Sequence, residues 1–351
     1  MNKKSFTSQK YFEKEKLFFL KNSFFLVGHI CEFKKIGDFK TLELFGKSIV
    51  IYNFSKKLSA FTNVCVHRGS KIFTEKSGNS MFKCPYHAWT YDETGHPKFI
   101  PFENKITHIT SLKTQLKLEN WDIEFCGKLI FIKSKFNKKS LNEYLGKDFQ
   151  KLSDISQNFD ERVDLQVFNW KANWKICIEN SIDEYHAVFL HETTFKNTLS
   201  LNPIYTGAKN VFNMSTPLSN NYLKKLEKLG SFFKGLNNNY THNYIFPMSS
   251  ISTTGYNSFY IQSYLPINSS QTQIVSTIYM PKTKKNMNKN VKNFFFKSCI
   301  DFNNTVFFED KIICENIHNN IRNNNFKKDF IGKLEYRINI FRKILKNKVY
   351  K

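Results

Sequence analysis

Arginine is scarce in this chain: five residues, at 68, 162, 322, 337 and 342, against a formal net charge of +24. Nearly all of the positive excess is therefore lysine, and it is spread along the sequence instead of gathered in one stretch. Surfaces that read nucleic acid lean on the planar arginine fork for bidentate contacts. The scarcity speaks against that class, and the joint abundance of Lys, Asn, Ile and Phe reads as the residue bias of an AT-rich coding sequence. One consequence of the charge remains: a positive surface steers an acidic protein partner toward it.

An apolar run long enough to cross a bilayer is also lacking. The most apolar stretch near the start, LFFLKNSFFLVGHI at 17–30, is interrupted by Lys21 and Asn22 and is too short to span. With no secretory pattern ahead of it, the expectation is a cytoplasmic protein without membrane partners. The cysteines, at 31, 65, 84, 126, 177, 299 and 314, are odd in number and scattered, which is not a disulfide framework. In a reducing compartment, cysteines placed beside histidines point to metal instead.

What the chain does contain is two compositional halves, without internal repeats. From about 24 to 134, short runs rich in β-branched and aromatic residues (FFLVGHICEF, KTLELFG, KSIVIYNF, GKLIFIK) alternate with Gly- and Asn-bearing turns. That pattern predicts a small antiparallel β domain. The polar, helix-like segment 137–152 reads as its exit. Beyond it, strand-like runs (RVDLQVFNWKANW, SFYIQSYLP, TQIVSTIYMP) share the chain with helical patterns near 174–190 and 290–322. The fold class is thus α+β. The expected division is an N-terminal segment 1–23 packed on the second domain, a β domain 24–134 and that second domain, 135–351. GLNNNYTHNY, at 235–244, reads as a polar loop.

Within CVHRGSKIFTEKSGNSMFKCPYH, Cys65-x-His67 is followed by Cys84-x-x-His87. Each of two loops thereby offers one thiolate and one imidazole, separated by a strand-like hairpin holding Gly78. Zinc fingers pair Cys with Cys and His with His. Mixed pairs on opposing loops suit an asymmetric cluster, one iron taking both sulfurs and the other both nitrogens, which is the Rieske [2Fe–2S] arrangement. Two β loops with incidental buried cysteines is the blander alternative.

NVCVHRGS followed by FKCPYHAWTYDETG, down to His-Arg-Gly and Trp-Thr-Tyr, resembles the Rieske domain of ring-hydroxylating oxygenase α subunits. The resemblance implies Cys65, His67, Cys84 and His87 as cluster ligands, with Arg68, Gly69, Tyr86 and Trp89 in the shell around them. A Rieske domain alone is an electron carrier without oxygenase chemistry of its own, so the rest of the chain decides between the two classes.

NWKICIENSIDEYHAVFLHETTF, at 173–195, carries Asp183, His186 and His191. Non-haem iron(II) oxygenases hold their metal through two histidines and one carboxylate, leaving positions open. Asp183 and His186, three apart, would share a helix face. His186 and His191 stand ~140° apart on an ideal helix at ~100° per residue, so they converge only if the helix ends or widens into a π turn between them. Spacing alone is a weak argument for ligands, and on spacing alone an amphipathic helix with two satisfied polar histidines is the stronger reading. The order Asn-Trp-Lys, Glu-Asn, Asp-x-Tyr-His and a second His after four residues resembles the iron-site helix of the same oxygenases, and implies His186 and His191 as ligands. One residue fewer separates Asn180 from Asp183 than in the naphthalene-dioxygenase type. That register is closer to the choline-, carnitine- and betaine-type monooxygenases made of α subunits alone.

For the third ligand, NTVFFEDKIICENIHNNI is tested by angle. With Asp310 at zero, Val306, Phe307, Ile313, Cys314, Ile317 and Ile321 fall within ~60° of it. A carboxylate centred on an apolar stripe faces the interior, where an unpaired charge is expensive. Metal coordination would satisfy it, as would a lysine or a backbone donor. Glu309 falls near the edge of the stripe and Glu315 far from it. The family places its carboxylate ligand in such a Glu-Asp helix, which matches Asp310. His29, His96, His108, His242 and His318 have no partners at ligand spacing, and the remaining cysteines read as core residues.

The resemblance as a whole implies an oxygenase terminal component, with a Rieske domain ahead of an antiparallel sheet wrapped on helices (helix-grip, START-like). Its cofactors would be one [2Fe–2S] cluster and one mononuclear Fe(II). Electrons would come from NAD(P)H through a separate flavin reductase, directly or by way of a ferredoxin. The reaction would hydroxylate or oxidatively demethylate a small organic substrate with O2, a quaternary or N-methyl amine being preferred over an aromatic compound. Relatives form trimers in which the residue at the position of Asp183 bonds across the subunit boundary to a Rieske histidine, here His87. The expectation is a homotrimer in which Asp183 links the two metal centres, with no nucleic acid among its partners.

Overall fold

The computed structural model describes residues 3–351 apart from 56, 107, 108, 110–113, 201, 230–232, 234, 235, 284–286 and 327. His108 lies outside the described residues. Helix α1 (Gln9–Asn22) comes first. A seven-stranded antiparallel sheet follows, ordered β1-β9-β8-β4-β3-β2-β5. It consists of β1 (Phe25–His29), β2 (Asp38–Leu44), β3 (Lys47–Asn53), β4 (Leu58–Thr62), β5 (Ser77–Asn79), β8 (Asn120–Cys126) and β9 (Leu129–Lys133). The ribbon β6 (Thr90–Tyr91) and β7 (Pro97–Phe99) stands apart from it.

Strand β3 shows why this half is so apolar. Its alternate residues enter two different cores: Ile49 and Ile51 join Phe19, Phe25 and Phe45, while Val50 and Tyr52 join Phe39, Phe73 and Phe82. A strand covered on both faces carries a continuous apolar run. Phe45 and Gly46, at φ 51° and 77°, form the β2–β3 turn; left-handed conformation at both central residues matches the twist of a two-residue hairpin.

Helices α2 (Leu141–Leu145) and α3 (Asp148–Ser156) lead out of this sheet, α2 opened by the Ser140/Glu143 capping box. A second antiparallel sheet is ordered β10-β16-β15-β14-β13-β12-β11. Its strands are β10 (Phe159–Trp170), β11 (Ile204–Ala208), β12 (Val211–Pro217), β13 (Asn239–Ile245), β14 (Ser249–Thr254), β15 (Phe259–Asn268) and β16 (Gln271–Pro281). Helices α4 (Trp174–Ser181), α5 (Ala187–Leu190), α6 (Asn220–Leu229), α7 (Lys289–Arg322) and α8 (Tyr336–Ile344) complete the chain. The stretch expected as a polar loop is therefore strand from 239 onward. Its second half is β13, paired with both β12 and β14, and it looks polar because His242 and Asn243 are buried polar residues.

Helix α7 buries Cys299, Asn303, Phe307, Asp310, Cys314 and His318. Asp310 sits within the buried face, but the apolar stripe is narrower than its angles suggest: Ile313 and Ile317 are 37% and 41% exposed. Two buried charge clusters fasten the remaining parts. Glu15 of α1 takes Lys175 Nζ at 2.7 Å and Trp174 Nε1 at 2.8 Å, and the Tyr350 hydroxyl also donates to it. Between the two sheets, Glu32 takes Lys40 Nζ at 2.9 Å and the Tyr279 hydroxyl at 2.6 Å. Burial would raise the Glu32 carboxyl, but Lys40 and Tyr279 outweigh it and hold it below the usual carboxylate range.

Candidate metal centres

The segments Cys65–Ser70 and Cys84–Trp89 fold into two equivalent loops. In the first, Cys65 N donates to Ser70 O (2.8 Å) and Gly69 N to Cys65 O (3.0 Å). In the second, Cys84 N donates to Trp89 O (2.8 Å) and Ala88 N to Cys84 O (2.9 Å). The fifth residue of each is left-handed, Gly69 at φ 75° and Ala88 at φ 59°. Cys65 and Cys84 are buried at the base, at 3% and 1% exposure. His67 and His87 stand at the half-buried rim with ring centroids 4.6 Å apart. Buried Trp89 stacks on His67 at 4.7 Å and 4° between planes, which sets that ring's attitude. His67 Nδ1 is buried with no hydrogen-bond partner. Two buried thiols and two rim imidazoles, one ring nitrogen unpaired, fit the split donor set of a Rieske cluster. Tyr91, on β6, places its hydroxyl 3.0 Å from Cys65 Sγ.

In the second half, α4 stops at Ser181, and the chain turns through Asp183, whose Oδ1 accepts Tyr185 N at 2.7 Å. The helical periodicity is broken here, so Asp183 and His186 meet across a turn, not on a helix face as their spacing suggests. His186 precedes the single turn α5, and His191 closes it at φ −96°, ψ 61°. The helix thus ends at His191, and the two rings come to 5.2 Å. Asp310 on α7 meets them: its Oδ1 lies 3.5 Å from His186 Nε2 and 3.2 Å from His191 Nε2. Ligand atoms of His186, His191 and Asp310 all lie within 4.8 Å of one another.

Asp310 Oδ1 is buried and has no hydrogen-bond partner despite these approaches. Three donor atoms facing a common centre, without bonding each other well, fit a two-histidine, one-carboxylate metal site. Burial would lower the His186 pKa, but Asp183 and Asp310 raise it to about 10. Burial would raise the Asp310 carboxyl, but the close approach of the His186 and His191 rings outweighs it and holds the carboxyl well below the usual carboxylate range. Behind the donors, His186 Nδ1 lies 3.3 Å from Asp183 Oδ2, and His191 Nδ1 hydrogen-bonds Glu309 Oε2 at 2.6 Å. His29 and His96 are taken up by hydrogen bonds to Ser156 O and Thr94, and His318 is buried with neither ring nitrogen bonded.

A small cavity, about 90 Å³, opens beside the three donors, between α7 and the inner face of the second sheet. Tyr240, Tyr264, Phe195 and Phe302 form its aromatic walls. A polar end is built from Arg337, 1% exposed, which pairs with Glu184 and donates to His242 Nδ1 at 2.8 Å. Burial and Arg337 push the His242 pKa well down, so the ring stays neutral with its proton on Nε2, 3.3 Å from Ser181 Oγ. Sequence reasoning missed this network, because His242, Arg337 and Glu184 share no motif spacing. It also missed the bond that Glu309 makes to His191, for which adjacency to Asp310 is the sole signal in the sequence.

Residues 23–114 match the family model of the Rieske [2Fe-2S] domain, and residues 157–350 that of the ring hydroxylating alpha subunit (catalytic domain). The chain belongs to the ring-hydroxylating oxygenase α-subunit family, and the two models together imply a Rieske cluster and a mononuclear iron. It is 31% identical over 188 residues to the carnitine monooxygenase oxygenase subunit of Escherichia coli, covering 52% of this chain and 49% of the relative. Against the terephthalate 1,2-dioxygenase terminal oxygenase component subunit alpha 2 of a Comamonas species it is 31% identical over 176 residues, 47% of this chain and 42% of the relative. The chain thus spans about half the length of the curated relatives it matches. The solved structure of a quaternary ammonium Rieske monooxygenase superposes with a TM-score of 0.82 at 21% identity, covering 99% of this chain and 94% of that one, a likeness of fold. Among the described residues no helix is long and apolar enough to cross a membrane.

Proposed function

We propose that the chain is the terminal component of a cytoplasmic Rieske oxygenase that hydroxylates or oxidatively demethylates a small organic substrate with O2. The convergence of His186 Nε2, His191 Nε2 and Asp310 Oδ1 carries this reading, because a Rieske electron carrier has no use for a second metal site. In this reading Cys65, His67, Cys84 and His87 hold the [2Fe–2S] cluster, while His186, His191 and Asp310 hold Fe(II). When bound, the cluster supplies single electrons and the iron supplies dioxygen activation.

The chain's own residues then orient and exclude. Phe195, Phe302, Tyr240 and Tyr264 keep water from the substrate, and their ring faces suit a cationic methylated nitrogen. The buried polar end at Arg337, Glu184 and His242 suits a polar substrate better than a hydrocarbon. Together with the carnitine relative, these features favour a quaternary or N-methyl amine. The terephthalate relative, equally similar, keeps an aromatic acid as the second reading.

Electrons come from NAD(P)H through an acidic flavin reductase or ferredoxin, drawn by the positive surface. A groove beside Asp183 and His186, edged by Ile313, Ile317, Ile321 and Phe330, is where a second copy of the chain docks in a homotrimer. There Asp183 meets His87 of the neighbouring copy. The test is oxygen uptake and product analysis with a competent reductase, using carnitine, glycine betaine and terephthalate as probes. Turnover of at least one, lost in Asp310→Ala, is the expected result. Mixed oligomers of Cys84→Ala and His186→Ala regain activity if electrons cross between chains, and inactive verified mixtures contradict the role of Asp183.

A further inference from the structure

We infer that Glu309 is the positioning residue for His191, fixing its ring so that Nε2 faces the metal; this rests on the mononuclear iron site proposed above. The bond from His191 Nδ1 to Glu309 Oε2 is 2.6 Å, short even for a charge-assisted pair. A neutral imidazole carries one proton. With a carboxylate accepting at Nδ1, that proton sits on Nδ1 and the lone pair on Nε2, the nitrogen 3.2 Å from Asp310 Oδ1.

Glu309 and Asp310 are consecutive on α7, so their side chains diverge by about 100° around the helix axis. The imidazole of His191 spans that divergence: Asp310 faces one edge of the ring and Glu309 holds the opposite edge. One rigid helix therefore fixes a histidine that itself ends a one-turn helix and leads into irregular chain. His191 is 1% exposed, which leaves little room for another rotamer.

His186 is held differently. Its companion, Asp183, comes from the same turn and approaches Nδ1 at 3.3 Å without making a hydrogen bond. The two outer carboxylates thus have separate duties. Asp183 spends Oδ1 on Tyr185 N and leaves its histidine unbonded, whereas Glu309 is committed to its histidine. Carboxylates behind metal-bound histidines fix the tautomer and ring orientation, and their loss typically weakens metal binding about 10–100-fold.

The experiment compares wild type, Glu309→Ala and Glu309→Gln, each with its Rieske cluster loaded and monitored by the visible spectrum. Three quantities are read: iron(II) binding at the mononuclear site in competition with a chelator, the electron paramagnetic resonance of the iron–nitrosyl adduct, and thermal unfolding of the protein without mononuclear iron. Glu309→Ala should bind iron about 10–100-fold more weakly with an altered nitrosyl signal, while its unfolding temperature is unchanged. Glu309→Gln should recover most of the affinity, because the amide oxygen still accepts from Nδ1. Wild-type affinity and an unchanged nitrosyl signal in Glu309→Ala overturn the inference, as does an affinity loss matched by equal loss of metal-free stability in both variants. A wild-type protein that binds no mononuclear iron overturns the function reading itself, and this inference with it.

Discussion

Ala88 holds a left-handed φ of 59° at the position where the matching loop has Gly69 at 75°. A Cβ in that region costs about 1–2 kcal/mol, and replacing alanine by glycine returns roughly 0.4–1 kcal/mol of unfolded-chain entropy. The strain outweighs the entropy, so Ala88→Gly should stabilise the Rieske loops by roughly 0.5 kcal/mol. Gly69→Ala, where an added Cβ meets nothing within 4 Å, should destabilise by a similar amount. Denaturation midpoints followed by cluster absorption check both, and a shift of the opposite sign for either would show that the loops relax. Tyr91 offers a second test at this scale. Its hydroxyl, 3.0 Å from Cys65 Sγ, would donate to the thiolate of a bound cluster and so favour the reduced form. Tyr91→Phe should lower the reduction potential in spectroelectrochemical titration while the cluster stays intact; an unchanged potential would mean the hydroxyl serves only Val66 N, from which it also accepts at 3.3 Å. The four residues proposed to hold the cluster stand out by spacing because each loop is local. Tyr91 does not, since nothing in a sequence says which strand residue leans over a thiol.

Among elements, the break between α4 and α5 was legible only as a condition. Spacing required the helix to end or to widen into a π turn between His186 and His191, and the chain leaves helix at Ser181 and again at His191. Periodicity put Asp310 in the buried face of α7, but it misjudged Ile313 and Ile317, because an angle cannot tell a core from a surface groove. It also could not find the strand β13, where buried His242 lines the cavity and buried Asn243 donates to Ile251 O. Segment 1–23 was expected to pack on the second domain, but the charge pair that clasps α1 to α4 was not legible, since Glu15 and Lys175 are far apart in sequence and look like ordinary surface charges. Both are 0% exposed. Removing one partner leaves the other as an uncompensated buried charge, so Glu15→Ala should cost about 3–5 kcal/mol, whereas replacing both by apolar residues of similar volume should cost far less. Chemical denaturation of the single and double variants checks this. A single variant within about 1 kcal/mol of wild type, the value of an exposed pair, would mean that water reaches Lys175.

For the whole molecule, the two sheets are joined through the buried Glu32, Lys40 and Tyr279 cluster, so the Rieske domain is seated on the catalytic sheet and not tethered loosely. The net charge of +24 acts at this scale too. If it steers an acidic reductase, the second-order rate of cluster reduction should fall steeply as salt shortens the screening length from about 30 Å at 0.01 M to about 8 Å at 0.15 M. A flat salt response in stopped-flow reduction would remove that role.

Two different iron centres in one chain require a fixed count of metal and sulfide. Iron and acid-labile sulfide are measured on wild type and on Asp310→Ala, together with the paramagnetic spectrum of the reduced protein. About three irons and two sulfides per chain are expected in wild type, and about two of each in the variant with the Rieske spectrum unchanged. Stoichiometric zinc without labile sulfide, or an Asp310→Ala protein that keeps its third iron, would contradict the presence of these two centres.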